Sequence, residues 1–307
     1  MKKILAWVLA LSLLLCGAAF AEEAEEVHVK VGVVGENNEQ WEQVIIPTLA
    51  EEGIIIELVK FSDYIIPNQA LAQGEIDMNA FQHYDFMNNW NEENSAAYGV
   101  TLVGLCDTLI APLCIYSDKI TSLDELKEGD QIAIMNDVVN EARALRMLAS
   151  TGLITLSEDS TELATVADIA ENPLGLEFVE MEAALTPTAM KDPAIAIAFL
   201  NGTHAKDAGL TNDQALLVEE FDFDDESMHG IVNNIAVRAD DIDNPVYQRI
   251  AEVYQSDEVR ALFDTVYAGV YLPAWEAADE TTEATDEATE AADEAADEAE
   301  TEEPAAE

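Results

Sequence analysis

The sequence predicts an α/β protein made of two units, each a largely parallel sheet flanked by helices. Three observations predict it. Strand-like apolar runs alternate with helical stretches, the order that builds parallel sheets. The alternation starts afresh near Ser117, after extended segments, so a second unit follows the first. Trimming two atypical ends leaves roughly 250 residues, enough for two small cores.

The elements follow in order. Val27–Val34 (VHVKVGVV) reads as a strand. Residues 39–51 read as an amphipathic helix with an irregularity at Pro47 and a stop at Gly53. Ile54–Phe61 is a strand, 67–73 a helix and 76–81 a short strand; 100–105 and 113–116 are further strands. In the second unit, Ser122-Leu123-Asp124-Glu125 is a capping-box pattern before a short helix. Gln131–Met135 is a strand, and Asn140 is placed to cap a helix over 141–150 that stops at Gly152. Strands are expected at 176–181, 194–200 and 215–220, with a helix at 203–208 ended by Gly209. A strand at 231–237 and helices at 244–255 and 257–267 close the structured part.

The two ends differ in kind from the middle. Met1-Lys2-Lys3, an apolar run over 4–15 and then Ala19-Phe20-Ala21 form the basic, apolar and small-residue succession of a removed export signal, read here as residues 1–21. The apolar run is short for a membrane span. Residues 276–307 repeat Glu-Ala-Ala-Asp and Thr-Glu-Ala-Thr-Asp units without one basic residue. Like charges four apart oppose a helix there, and large apolar side chains to offset ordering entropy are lacking. The expectation is a disordered acidic tail.

Charge excludes whole classes of partner. The 307 residues carry 63 acids against 13 bases, a formal net charge of −50. Such a chain repels phosphate backbones, which excludes nucleic acid, and it has no attraction to anionic membrane surfaces. Cys106 and Cys114 remain once the signal is removed. On one straight strand they would lie about 26 Å apart, so two buried thiols are favoured over a bridge, although a turn at Ala111-Pro112 keeps the bridge open. The four histidines form no i,i+4 pair, and no zinc-type cysteine pair, nucleophile elbow or phosphate loop appears. No metal or cofactor site is expected. An export signal without a catalytic motif favours binding over turnover.

The segment from Phe61 to Tyr84 is the most specific. It reads helix, turn, strand, then an aromatic and histidine cluster where the strand ends, and strand ends are where α/β folds gather ligand-contacting side chains. Asp63-Tyr64, Pro67-Asn68-x-Ala70-Leu71 and Gly74-x-Ile76-Asp77-x-Asn79-Ala80-Phe81-Gln82-His83 resemble the methionine-binding lipoproteins of the NlpA type. Asn136-Asp137-x-x-Asn140-x-x-Arg143 and Asn201-Gly202-Thr203-His204-Ala205 resemble two further segments of that family, and the likeness runs from Val27 to Trp275.

The resemblance implies a solute-binding component of an ABC importer: two lobes of the periplasmic-binding-protein kind, with a ligand cleft between them and two chain crossings. It places lobe one at 27–114 plus 231–275 and lobe two at 115–230. It implies a small amino acid as ligand, methionine in the family, with a membrane permease as partner, a monomer, and a location outside the cytoplasm. Membrane contact would come through the permease or through lipidation of Cys16. That residue follows bulky Leu15 rather than a small one, so cleavage after Ala21 and lipidation at Cys16 both stand.

Residue by residue, the resemblance makes Arg143 the carboxylate partner, and a guanidinium fork suits a carboxylate. Asn201 and Asn233 become partners of the ligand's backbone groups, with Asn234 the register alternative to Asn233. Tyr64, Phe81, His83 and Tyr84 would line the side-chain slot, since a thioether packs well on aromatic edges. Glu182 is the candidate ammonium partner. Tyr84-Asp85-Phe86, Met135, Val139 and His204 stand where the family usually has other residues, which bears on the solute more than on the class. The competing readings are another small amino acid or a dipeptide, a metal-capturing binder using His83 and His204, and a secreted α/β enzyme.

Overall fold

The computed structural model describes residues 26–275. The export signal, Cys16 and the acidic tail from residue 276 lie outside the described residues. Two five-stranded sheets organise the rest. The first contains β1 (Val27–Val34), β2 (Ile54–Phe61), β3 (Met78–His83) and β4 (Leu102–Asp107), with a fifth strand that returns from far along the chain. The short strands β5 (Leu109–Ile110) and β6 (Cys114–Tyr116) lead across to the second sheet. There β6 joins β7 (Gln131–Met135), β10 (Glu177–Met181), β11 (Ile195–Leu200) and β12 (Leu217–Val218). A small hairpin, β8 (Thr155–Leu156) with β9 (Ile169–Glu171), lies outside that sheet. The returning strand is β13 (Asn233–Arg238); the last, β14 (Leu272–Pro273), pairs with β5.

Strand order in the first sheet is β2-β1-β3-β13-β4, and in the second β10-β7-β11-β6-β12. β1 runs parallel to β2 and β3, whereas β13 is antiparallel to both its neighbours. A strand from the end of the chain thus sits inside the sheet built by its beginning, and the chain crosses between lobes twice. Each lobe has its own core. Val29, Val31 and Val33 of β1 pack on Trp41, Ile45 and Leu49. Ile132 and Ile134 of β7 pack on Leu145 and Leu148. Burying each such side chain contributes about 1.5–3 kcal/mol.

The helices show why some boundaries move. The expected helix over 39–51 is a wide π turn, Gln40–Ile45, running into α1 (Ile46–Glu51). Pro47 has no N–H to give the Gln43 carbonyl, and the ladder takes up that loss as a wider turn. After α2 (Ile66–Gln73) and β3 comes α3 (Tyr84–Tyr98), 15 residues for which the sequence reading named no element. Its asparagines are weak helix formers. Tertiary ties hold it: Met87 and Trp90 are buried, and Asn91 exchanges side-chain hydrogen bonds with both the N–H and the C=O of Leu102 at 2.9 and 2.8 Å.

In lobe two, α4 (Val138–Ser150) begins earlier than expected, because Asp137 caps it and not Asn140. The expected strand at 215–220 shrinks to β12, as Glu219 turns away to pair with Arg143. After α5 (Thr186–Ala189) and α6 (Gly202–Asp207), the expected helices near the end become α7 (Pro245–Tyr254) and the short α8 (Asp257–Arg260), followed by turns. Cys114 and Cys106 are both free thiols; Cys114 is buried as expected, but Cys106 only half-buried.

A clasp joins the lobes away from the crossings. Both Asp207 carboxylate oxygens, at the end of α6, lie 3.3 Å from the N–H of Glu36 in the loop after β1, and Asn37 Nδ2 donates to the same carboxylate. Lys206 reaches Glu39 at 3.4 Å. Gly35 makes this approach feasible: its φ is +86°, and a Cβ there would stand 2.7 Å from Asp207.

Candidate functional site

The ends of both sheets face a tight cavity of about 30 Å³. Lobe one contributes Tyr64 from the turn after β2, Phe81 and His83 from the end of β3, Phe86 from the first turn of α3 and Asn233 from the start of β13. Lobe two contributes Asn140 and Arg143 from α4, Asn201 from the end of β11 and Thr203 from α6. Ala111, on the first crossing, closes one side.

One wall is aromatic. Tyr64 and Phe81 stack with ring centroids 5.9 Å apart, and Phe86 meets both edge-on at 6.2 and 6.0 Å. His204 of lobe two lies 5.1 Å from the Tyr64 ring, so this wall spans both lobes.

A second part of the lining is a chain of amides with a defined direction. Asp137 Oδ1 accepts from the Asn140 backbone N–H and from Asn140 Nδ2, both at 2.9 Å. Burial pushes the Asp137 carboxyl up from its ordinary pKa, and the two Asn140 bonds oppose that shift. Asn140 Oδ1 accepts from Asn201 Nδ2 at 2.9 Å. Asn201 Oδ1 is buried and has no partner among the described residues. Its amide nitrogen being turned to Asn140, the carbonyl is the end left for the cavity that Asn201 lines.

His83 ties the lobes together at this point. Its Nδ1 accepts the Phe86 N–H at 3.2 Å, capping α3. The proton therefore sits on Nε2, which lies 3.5 Å from Asn140 Oδ1. Burial, reinforced by the nearby Arg143 charge, lowers the His83 pKa to about 3, so the ring is neutral at physiological pH.

Arg143 is buried at the cavity wall with its fork already engaged. Nε donates to Glu219 Oε1 at 2.7 Å, and Nη2 donates to Glu219 Oε2 and, at 3.1 Å, to the Ala111 carbonyl. Nη1 has no hydrogen bond among the described residues. Glu219 stands on the second crossing and also accepts the Leu113 N–H of the first, at 3.1 Å. Burial alone would raise the Glu219 pKa, but the Arg143 charge and hydrogen bonds hold it below the ordinary carboxylate value. The pair thus binds α4 to both chain crossings.

Tyr64, Phe81, His83, Arg143, Asn201 and Asn233 all line the cavity; Tyr84 and Glu182 do not. The Tyr84 hydroxyl donates to Asp107 at 2.7 Å, its ring stacks on His229, and it fills the space over Gly104 that any Cβ would occupy. Tyr84 opens α3, and the turn from strand to helix carries its side chain to Asp107 and away from the cavity lining. Glu182 is exposed just after β10, outside the cavity lining. Asn233 faces the cavity, whereas Asn234 points into the lobe, fully buried, with both side-chain polar atoms unpartnered among the described residues. Sequence reasoning missed Phe86, Asn140 and Glu219 as parts of the site. Asn140 carried a signal, since it stands one helical turn before Arg143 on the same face. Among the described residues, no group of three or more His, Cys, Asp or Glu side chains is arranged to hold a metal ion.

Known proteins share the sequence pattern and the fold. The family model described as NlpA lipoprotein matches residues 29–275. The D-methionine-binding lipoprotein MetQ of Escherichia coli K12 is 38% identical over 267 residues, covering 87% of this chain and 94% of the relative. A nutrient-binding protein of Burkholderia cenocepacia, solved bound to methionine, superposes with a TM-score of 0.73 at 34% identity, covering 80% of this chain and 100% of that one. The substrate-binding protein of a methionine transporter from Streptococcus pneumoniae gives 0.74 at 34%, covering 81% and 96%. A cleft between two sheets, reached by two crossings and spanned by a sequence match over almost all the described residues, places the chain in one group: it belongs to the NlpA lipoprotein family.

Proposed function

We propose that this protein is the extracytoplasmic solute-binding component of an ABC importer, that it captures methionine between its lobes, and that it hands the solute to a membrane permease without chemical change. The observation that carries the reading is the unpartnered, buried Asn201 carbonyl beside the Arg143 guanidinium and the Tyr64–Phe81 wall. A buried acceptor left empty costs about 1–3 kcal/mol, more when its natural partner is charged. An α-ammonium group supplies that partner. Arg143 offers Nη1 to the α-carboxylate, and the aromatic edges receive the thioether, each contact worth about 0.3–1.5 kcal/mol. The named relatives, one solved with methionine and one serving a methionine transporter, support the choice of solute and partner.

The bodies that close are, in this reading, 27–114 with 231–275, and 115–230. Methionine touches both, so it favours the closed arrangement. Calorimetric titration with both enantiomers of methionine and with the other amino acids tests the assignment. Methionine is expected to bind, and Asn201→Leu, which keeps the branched outline and removes the acceptor, to weaken it at least about tenfold. Heat with a different amino acid alone would replace the solute; no heat with any amino acid would end the assignment.

A further inference from the structure

The amide wall has a direction, and one residue outside the cavity lining gives it that direction. An ionised carboxylate can accept hydrogen bonds but cannot donate one. Asp137 Oδ1 takes both the backbone N–H and the side-chain Nδ2 of Asn140. The Asn140 amide therefore turns its nitrogen back to Asp137 and its oxygen forward. That oxygen requires a donor from Asn201, which turns Asn201 Nδ2 inward and leaves Asn201 Oδ1 for the cavity. His83 pins Asn140 the same way from the other lobe, because its Nδ1 is taken by the Phe86 N–H and only Nε2 can donate. At 3.5 Å that second pin is the weaker one.

We infer that Asp137 is a specificity-determining positioning residue: through Asn140 and Asn201 it makes the cavity present an acceptor, and so requires a solute with an ammonium group. This rests on the reading of the cavity as an amino-acid site. Were Asn140 free to flip, Asn201 would flip with it. An NH2 group would then face the ammonium, losing one charge-assisted bond and gaining a repulsion.

The test compares methionine with 4-(methylthio)butanoate, which lacks only the amine, by calorimetric titration. Asp137→Ser keeps a good helix cap, but a hydroxyl both donates and accepts, so direction is lost. Asp137→Asn keeps an acceptor oxygen at the same place, held there by the Asn140 backbone N–H. The wild type is expected to prefer methionine strongly, the serine variant to lose about tenfold or more of that preference, and the asparagine variant to retain most of it. Thermal midpoints of both variants report any loss of the cap. Serine and asparagine variants falling together, or a serine variant with undiminished preference, would overturn the inference. A wild type that binds methionine no better than the analogue would overturn the reading of the site itself. Asn201→Asp gives an independent answer. With Asn140 held by Asp137, two acceptors meet and methionine binding weakens. With Asn140 free, the added charge tightens it, and tighter binding would refute the relay.

Discussion

Replacing Glu219 by glutamine tests the buried pair on which the cleft is built. Arg143 is 7% exposed and Glu219 16%, and Glu219 accepts from Arg143 Nε, Arg143 Nη2 and the Leu113 N–H. Glutamine has one oxygen and one NH2 group, so a donor must face a donor at one of these contacts. The guanidinium also loses its counter-charge. Breaking a buried pair from one side costs ~3–5 kcal/mol, and the retained oxygen places Glu219→Gln near the lower end, about 3 kcal/mol. For a chain of this size that lowers the thermal midpoint by roughly 6–12 °C.

Thermal unfolding of wild type and variant, at neutral pH and again in acid, reads the effect. The sign with pH follows from the depressed Glu219 pKa. Its contribution is fully present above the unfolded value of about 4.3 and is lost as pH falls through the folded value. The gap between the two proteins should therefore narrow in acid. A drop below about 2 °C at neutral pH, or a gap that stays constant in acid, would show that the pair does not hold the crossings together.

Three further outcomes are expected. The neutral, buried His83 resists protonation down to about pH 3, whereas the unfolded chain takes up that proton near pH 6.5. Its contribution is present above pH 6.5 and declines by about 1.4 kcal/mol per unit below it, so denaturant titrations at pH 7 and pH 5 should differ by about 2 kcal/mol more in wild type than in His83→Asn. Equal differences would contradict the assignment. Tyr84→Phe removes the bond to Asp107 and should lower stability by about 0.5–1.5 kcal/mol, leaving methionine affinity unchanged; a weaker Kd would return Tyr84 to the slot. Gly35→Ala forces a Cβ into the Asp207 clasp at positive φ, and small-angle scattering should show a more open chain with weaker capture; an unchanged profile and Kd would show that the clasp does not govern closure.

How far the sequence revealed all this varies by residue. Phe81 and His83 were legible because the family likeness fell on a motif at a strand's end; the residues alone left Phe81 as open to the core as to the slot, while a buried imidazole such as His83 needs partners. Arg143 was legible through the family likeness of its segment, since its spacing alone fitted a surface arginine equally well, but its partner was not: among 63 acids, no spacing singles out Glu219, which reaches Arg143 only because two distant crossings meet. β13 carries no mark of its place between β3 and β4, since insertion into a sheet is decided by packing. The helix α3 was invisible for a related reason, its stability coming from Asn91 and Trp90 contacts rather than from propensity. Tyr84 misled because it continues a motif whose final residue belongs to a helix and no longer to the strand.

The engagement of Arg143 by Glu219 cancels the guanidinium charge before any guest arrives. A lone anion would then bring an uncompensated charge into a poorly solvated space, whereas a guest that bears both signs brings no net charge with it. Sulfate and chloride are thereby disfavoured by charge balance, with no wall shaped against them, and the choice among zwitterions is left to the rings.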